Sequence, residues 1–224
     1  MDSPATVGPD DGRRAAGRAR RDRTRRRVLE AADELFRERG YGPTTVTAIA
    51  ERAGVALQTL YLTWEGKSAL FRAAADAATT ASGLPLTTQA WRDVIHDQLV
   101  DEAGASPTAQ RYLVAVARTF VRVAERSAVY WQMQPAAAAS DPEITTGYTA
   151  AMRQRRITIE GVAGNIPTEG LRPGLTSTAV ADTLWSLASP EMYSLFVSQA
   201  GKTPAEYQQW LESTLTAALC TEPT

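Results

Sequence analysis

From residue 13 to residue 27 the chain carries nine arginines, opposed only by Asp22. Guanidinium groups at that density favour polyanions, because each stays charged and offers a planar fork of donors that fits phosphate oxygens. Residues 26–73 follow as RRVLEAADELFRERGYGPTTVTAIAERAGVALQTLYLTWEGKSALFRA. Here an amphipathic helical pattern leads into two short helical stretches joined by Ala53, Gly54 and Val55. Ala50, Gly54, Val55 and Leu60 put small or apolar residues where those two stretches must cross. Such a pair lays its second helix in the major groove of DNA while the first crosses the backbone. An ordinary helix pair in a bundle has the same spacing; the adjacent arginines favour the DNA reading. The chemistry expected is phosphate anchoring and base-edge reading rather than bond making.

Catalytic sets are thin. His96 and Cys220 are the only residues of their kinds, and no Gly-x-Ser-x-Gly motif occurs. No metal cluster, no cofactor and no enzymatic activity are expected. Gly66-Lys67-Ser68 ends like a phosphate-binding loop, but Tyr61 occupies the position where that loop needs its first glycine, and no strand precedes it.

The elements that must position these residues follow from length and pattern. The chain has 224 residues, 44% hydrophobic and 22% charged, which is the balance of a soluble globular protein of one or two domains. Residues 1–75 carry 14 basic against 10 acidic side chains and the remainder 10 against 15, so the positive charge is local. A lone cysteine fits a reducing compartment, no apolar run is long enough to span a membrane, and the arginine-rich start lacks the apolar stretch of a secretory signal. A cytoplasmic protein is expected.

Residues 1–22, rich in Pro, Gly, Asp and Arg, read as a disordered basic arm. From Thr24 onward Val28, Leu29, Ala32, Leu35 and Phe36 recur at helical spacing. Gly40 ends that helix, Gly42-Pro43 turns the chain, and Thr45 can cap the next helix, which runs to about Arg52. A third helix is expected over 56–62 and a fourth after Gly66, with Leu70 and Phe71 packing back. Longer helices are expected near 87–103, 107–126, 128–138, 142–165, 176–200 and 204–220. The turns between them fall at 83–85, 104–106, 140–142 and 170–174, and Pro190 is expected to kink the helix that contains it. The expected division is an arm at 1–22, a helix-turn-helix domain at 23–70 and a helical domain at 71–224.

The segment from about residue 24 to 73 resembles the TetR (tetracycline-repressor-like) family of transcriptional regulators. The resemblance rests on Ala31-Ala32, Leu35-Phe36, Gly40-Tyr41, Thr44-Thr45-Val46, Ile49-Ala50, Ala53-Gly54-Val55, Thr59-Leu60-Tyr61, and Lys67 with Leu70. It implies an all-α fold: an N-terminal three-helix helix-turn-helix domain, then a C-terminal helical bundle that dimerises and holds a small ligand. It also implies double-stranded operator DNA, a second copy of the chain through the last two helices, and an unidentified small-molecule effector as partners. By position, Thr45 and Lys67 match phosphate contacts, and Thr59 and Tyr61 match recognition-helix residues. Gln58 can read adenine, and Arg25 and Arg26 belong to the basic arm. Three departures stand out. Ala56 lacks the usual serine cap, Leu57-Gln58 replace the frequent pair, and Trp64 stands where phenylalanine is usual.

In the C-terminal part the candidate ligand contacts are Trp91, His96, Tyr112, Arg118, Arg122, Trp131, Met152 and Trp185. Aromatics and methionine at helical spacing belong to a core or to a cavity wall. Arg118 and Arg122 can meet an anionic ligand or a neighbouring carboxylate, and His96 suits ordinary packing. Val180, Leu184, Leu187 and Ala188 form one apolar stripe; Tyr207, Leu211, Thr214, Leu215 and Ala218 form another. These stripes fit a dimer interface or the monomer core. The function expected is a sequence-specific DNA-binding regulator, a repressor released by a small molecule, or alternatively an activator or scaffold without a ligand.

Overall fold

The computed structural model describes residues 9–80, 87–101 and 108–221. The expected turns at 83–85 and 104–106, and the first eight residues of the arm, lie outside the described residues. Among the described residues the regular elements are helices, with one isolated antiparallel bridge between Leu171 and Cys220. The chain divides into two compact units, Met1–Ala74 and Ala75–Thr224. No helix among the described residues is long and apolar enough to cross a membrane.

In Met1–Ala74 the first helix, α1 (Pro9–Arg39), begins fifteen residues before the expected Thr24. From Pro9 on, the arm is helical rather than structureless. Arginine and alanine are both strong helix formers, and like charges one turn apart oppose the helix by only about 0.2–0.5 kcal/mol per pair. Among its described side chains, those that α1 buries lie in its second half: Val28, Ala31, Ala32, Leu35 and Phe36. At its end Gly40 takes φ 80°, and its N–H donates to the Phe36 carbonyl at 2.8 Å. The buried Thr44 hydroxyl donates to the Gly40 carbonyl at 2.8 Å, which shapes the turn into α2 (Val46–Ala53). Helix α3 (Leu57–Tyr61) and the start of α4 (Lys67–Thr80) complete this unit. Phe36, Tyr41 and Phe71 close its core. Phe71 stands edge-on to both of the others, at ring distances of 5.1 and 5.0 Å.

Ala75–Thr224 holds α5 (Thr88–Asp101), α6 (Ala109–Ala138), α7 (Pro142–Ala163), α8 (Ser177–Leu187), α9 (Pro190–Tyr193), a π-helical turn at Ser194–Gln199 and α10 (Pro204–Leu219). The break expected near residue 127 does not occur, and α6 runs unbroken for 30 residues. Ser127 stays inside it by turning its hydroxyl back to the Val123 carbonyl at 2.9 Å, so no turn forms. α6 packs against α5, α7, α9 and α10, and Tyr112, Leu113, Val116, Phe120, Val123 and Trp131 on it are all buried.

Pro190 does not kink a long helix; it starts a new one. α8 stops at Leu187, Ala188 leaves helical backbone at φ −87°, ψ 60°, and Ser189 caps α9 with Pro190 in the first turn. A proline is tolerated there because its missing N–H is one that a helix start leaves unbonded. The apolar stripes of α8 and α10 are largely spent within the chain. Val180, Leu184, Ala188, Tyr207, Leu211 and Leu215 are all buried in the bundle core, while Leu187, Thr214 and Ala218 are only half-buried.

Candidate DNA-reading face and effector cavity

In Met1–Ala74 each candidate contact is positioned by a local device. The Thr45 hydroxyl accepts from the Ala48 N–H at 3.1 Å, so Thr45 caps α2 and remains exposed. Gly54 ends α2 at φ 63°, ψ 43° and donates to the carbonyls of Ala50 and Glu51, while the Val55 N–H donates to Ala50 O. This left-handed cap turns the chain sharply into α3. Ala56 precedes α3 with no side-chain cap, as its residue type dictates.

α3 is anchored by one fully buried residue, Leu60. Around it Leu57 is 38% exposed, Tyr61 56% and Leu62 80%; Gln58 is exposed and Thr59 half-buried. A helix of five residues that shows water this much side chain is built to present it. Lys67, in the first turn of α4, is half-buried. It donates to the Gly42 carbonyl at 2.9 Å and lies 4.2 Å over the Tyr41 ring. An ammonium has three donors, and at a helix N-terminus it adds positive charge where an anion is already favoured.

The arginines are not equivalent. Arg25 sits 5.5 Å over the ring of buried Trp64, which orients it. Arg26 is exposed. Arg27, counted in sequence with the arm, is exposed but turns toward α2: its Nη2 donates to the Ala53 carbonyl and, at 3.1 Å, to that of Gly54. It thus neutralises the negative end of α2 and ties α1 to the turn before α3. A side chain at Gly54 would meet Arg27 Nη2 at 2.9 Å. An open groove of about 880 Å³ is lined by Arg20, Arg21, Arg23, Arg25 and Arg27 together with Thr59, Thr63 and Trp64. The structure therefore brings arginines and α3 to one concave face. Sequence reasoning named Arg25 and Arg26 for contact; a helical projection of the arm would have shown which of its arginines share a side.

Ala75–Thr224 contains an almost wholly apolar cavity of about 60 Å³. Trp91 and Trp131 line it, with Val116, Phe120, Val123 and Val162. The other candidates stand elsewhere. Exposed His96 and buried Tyr112 border a separate groove of about 380 Å³. The Tyr112 hydroxyl donates to the Val162 carbonyl at 3.0 Å, and burial pushes its pKa up to about 12. Arg118 is exposed and pairs with Glu212 at 3.4 Å, and Arg122 is exposed. Met152 and Trp185 border a shallow surface groove.

The residue that sequence reasoning missed is Arg155. It lines the cavity, is only 8% exposed, and its Nη2 donates to the carbonyls of Trp185 at 2.8 Å and Ala188 at 3.0 Å. Burial, more than any neighbouring charge, lowers its pKa to about 10. Its guanidinium lies 4.0 Å over the Trp185 ring. Arg155 shares the buried face of α7 with Thr158 and Val162.

The sequence profile of bacterial regulatory proteins of the tetR family matches residues 28–74. The chain is also similar to an uncharacterized HTH-type transcriptional regulator, YdeS, of Bacillus subtilis, at 35% identity over 80 residues, 35% of this chain and 40% of that one. The match thus spans well under half of that relative. Two solved structures share the fold. A TetR-family regulator from Mesorhizobium loti superposes with a TM-score of 0.63 at 19% identity, over 89% of this chain and 98% of that one. SmeT, solved with triclosan, superposes with a TM-score of 0.62 at 18% identity, over 89% and 92%.

Proposed function

We propose that this chain, which belongs to the tetR family of bacterial regulatory proteins, is a homodimeric repressor that leaves its operator when a small molecule occupies the Ala75–Thr224 unit. DNA binding and transcriptional regulation come with the family. Repression, dimerisation and release are our reading. The observation that carries the DNA part is α3, anchored by Leu60 alone and exposing Gln58, Tyr61 and Leu62 beside an arginine-lined groove. In this reading Gln58, Thr59 and Tyr61 meet base edges and phosphates, Thr45 and Lys67 hold phosphates, and the arginines follow the backbone. Two copies are required because paired recognition helices read half-sites about 34 Å apart.

The cavity, and the triclosan held by a protein of the same fold, support a ligand. A ligand releases DNA only by binding the arrangement that does not fit the operator more tightly than the one that does. The small size of the cavity favours a second reading, a regulator without a small-molecule effector, since ligand sites commonly span about 300–1,000 Å³.

The test uses a duplex selected from a randomised pool with the full chain. Two protomers should bind each selected site, seen as mass in analytical ultracentrifugation with DNA. A monomer on DNA at micromolar concentration would refute the dimer. Triclosan, titrated into the complex, should lower DNA affinity; affinity that is unchanged while triclosan binds the protein would refute release by this effector class.

A further inference from the structure

Arg155 is the only ionised side chain buried among the described residues, and it forms no ion pair there. One of its nitrogens, Nη2, serves the Trp185 and Ala188 carbonyls. The three remaining N–H donors of a guanidinium have no acceptor among the described residues. A second donor lines the same cavity: Trp91 is 9% exposed, and its indole N–H is buried without an acceptor. Buried donors are nearly always satisfied, so each unsatisfied one calls for a cause. Here one unsatisfied indole N–H and one largely buried guanidinium border a cavity whose other walls are apolar except at Ser127 and Thr158.

We propose that this cavity takes a small apolar monocarboxylate, received by Arg155 and the Trp91 N–H. The proposal rests on the reading that this unit binds an effector. The energetic case is the order of events. Folding has already removed most of the guanidinium from water, so an arriving carboxylate gains a charge-assisted hydrogen bond at a cation that needs little further desolvation. A cationic ligand is repelled, and a neutral amide keeps the shape but loses the charge.

Size and linkage follow from the same geometry. Benzene occupies an engineered apolar cavity of about 150 Å³, so about 60 Å³ holds no aromatic ring until its walls move. The wall that Arg155 controls is the end of α8. Arg155 holds the Trp185 and Ala188 carbonyls, and the Tyr207 hydroxyl holds Leu187 O at 2.7 Å, just where Ala188 breaks the helix before α9. A carboxylate on the remaining donors shares the guanidinium that holds those carbonyls, so occupation is coupled to the α8–α9 joint.

The experiment is calorimetric titration of the full chain with benzoate, benzamide and benzylamine, with triclosan as a fourth probe. Benzoate should bind at least about tenfold more tightly than benzamide, the difference that a hydrogen bond to a charged group makes, and benzylamine should not bind. Trp91→Phe keeps an aromatic ring and removes the donor; it should weaken benzoate about tenfold and benzamide by less, with an unchanged far-ultraviolet spectrum. Arg155→Lys should lose most of the preference for benzoate over benzamide. Equal binding of the three matched probes, or unchanged benzoate affinity in Trp91→Phe, overturns the proposal. If triclosan binds and benzoate does not, the acid is wrong and the effector reading stands. If none of the four binds, both fall.

Discussion

The two units use the same guanidinium group in opposite surroundings. Arg20, Arg21, Arg23 and Arg25 line an open groove and are exposed to water. Arg155 is buried against a cavity with two backbone carbonyls and a tryptophan ring as its polar company. Solvated charges attract a polyanion at long range, add up in number, and fade as salt rises. A buried charge is nearly unscreened and singular, so it can select one compact group but cannot steer a large one. In the function proposed above, the difference separates holding DNA, which needs many replaceable contacts, from sensing a small molecule, which needs a few irreplaceable ones.

Salt breaks the comparison most directly. Replacing Arg20, Arg21, Arg23 and Arg25 together with Gln should lower DNA affinity at 0.1 M salt by about 10²–10³-fold, and should flatten the slope of log K against log salt by about 0.9 for each phosphate that is no longer neutralised. An unchanged slope in an anisotropy titration would remove the groove from the interface. The variant should melt within about a degree of the parent, because surface changes of this kind shift stability little.

Arg155→Met sharpens the other side. It leaves the Trp185 and Ala188 carbonyls without their donor, which should cost about 2 kcal/mol of stability, and that cost should be equal at low and high salt in urea melts. A loss that shrinks with salt would mean that the charge is solvated after all.

Gly54→Ala should cost about 1–2 kcal/mol. It forces a side chain into the left-handed region and against Arg27 Nη2. Loss of DNA affinity beyond the fraction unfolded would show that Arg27 also sets the angle at which α3 leaves α2.

The smallest effect is alkaline. Burial raises Tyr112 and Tyr193 to about 12 and raises Tyr207 as well. Between pH 10, the ordinary phenol value, and about 12, the folded chain keeps protons that the unfolded chain releases, so stability falls with rising pH. The lowered pKa of Arg155 works the other way over the same range. Tyr112→Phe should reduce the downward slope of stability against pH; a steeper slope would contradict the assignment.

The DNA-binding unit is legible because its signals are local. A threonine cap, a glycine that must turn left-handed and an apolar stripe on α1 each act within a few residues, and each stands where the sequence puts it. The arm misleads because its composition argues for disorder while the helix propensity of its arginines and alanines argues for a helix. The second unit is less legible because its decisive features are tertiary. Of eight candidates only Trp91 and Trp131 reach the cavity, since aromatic residues at helical spacing do not say which side of α5 or α6 is hollow. In sequence Arg155 looks like one more solvated arginine beside Arg153 and Arg156. Only the packing of α7 against α8 shows that it is buried.

The central claim is that α3 reads DNA sequence. Its most direct test is the ratio of affinities for the selected duplex and a scrambled duplex of equal length and composition, at one salt concentration, for the parent and for Tyr61→Ala. The ratio should be about 10³ or more for the parent and should fall at least tenfold for Tyr61→Ala, with the same melting temperature. A parent ratio near one, or an unchanged ratio in the variant, would contradict it.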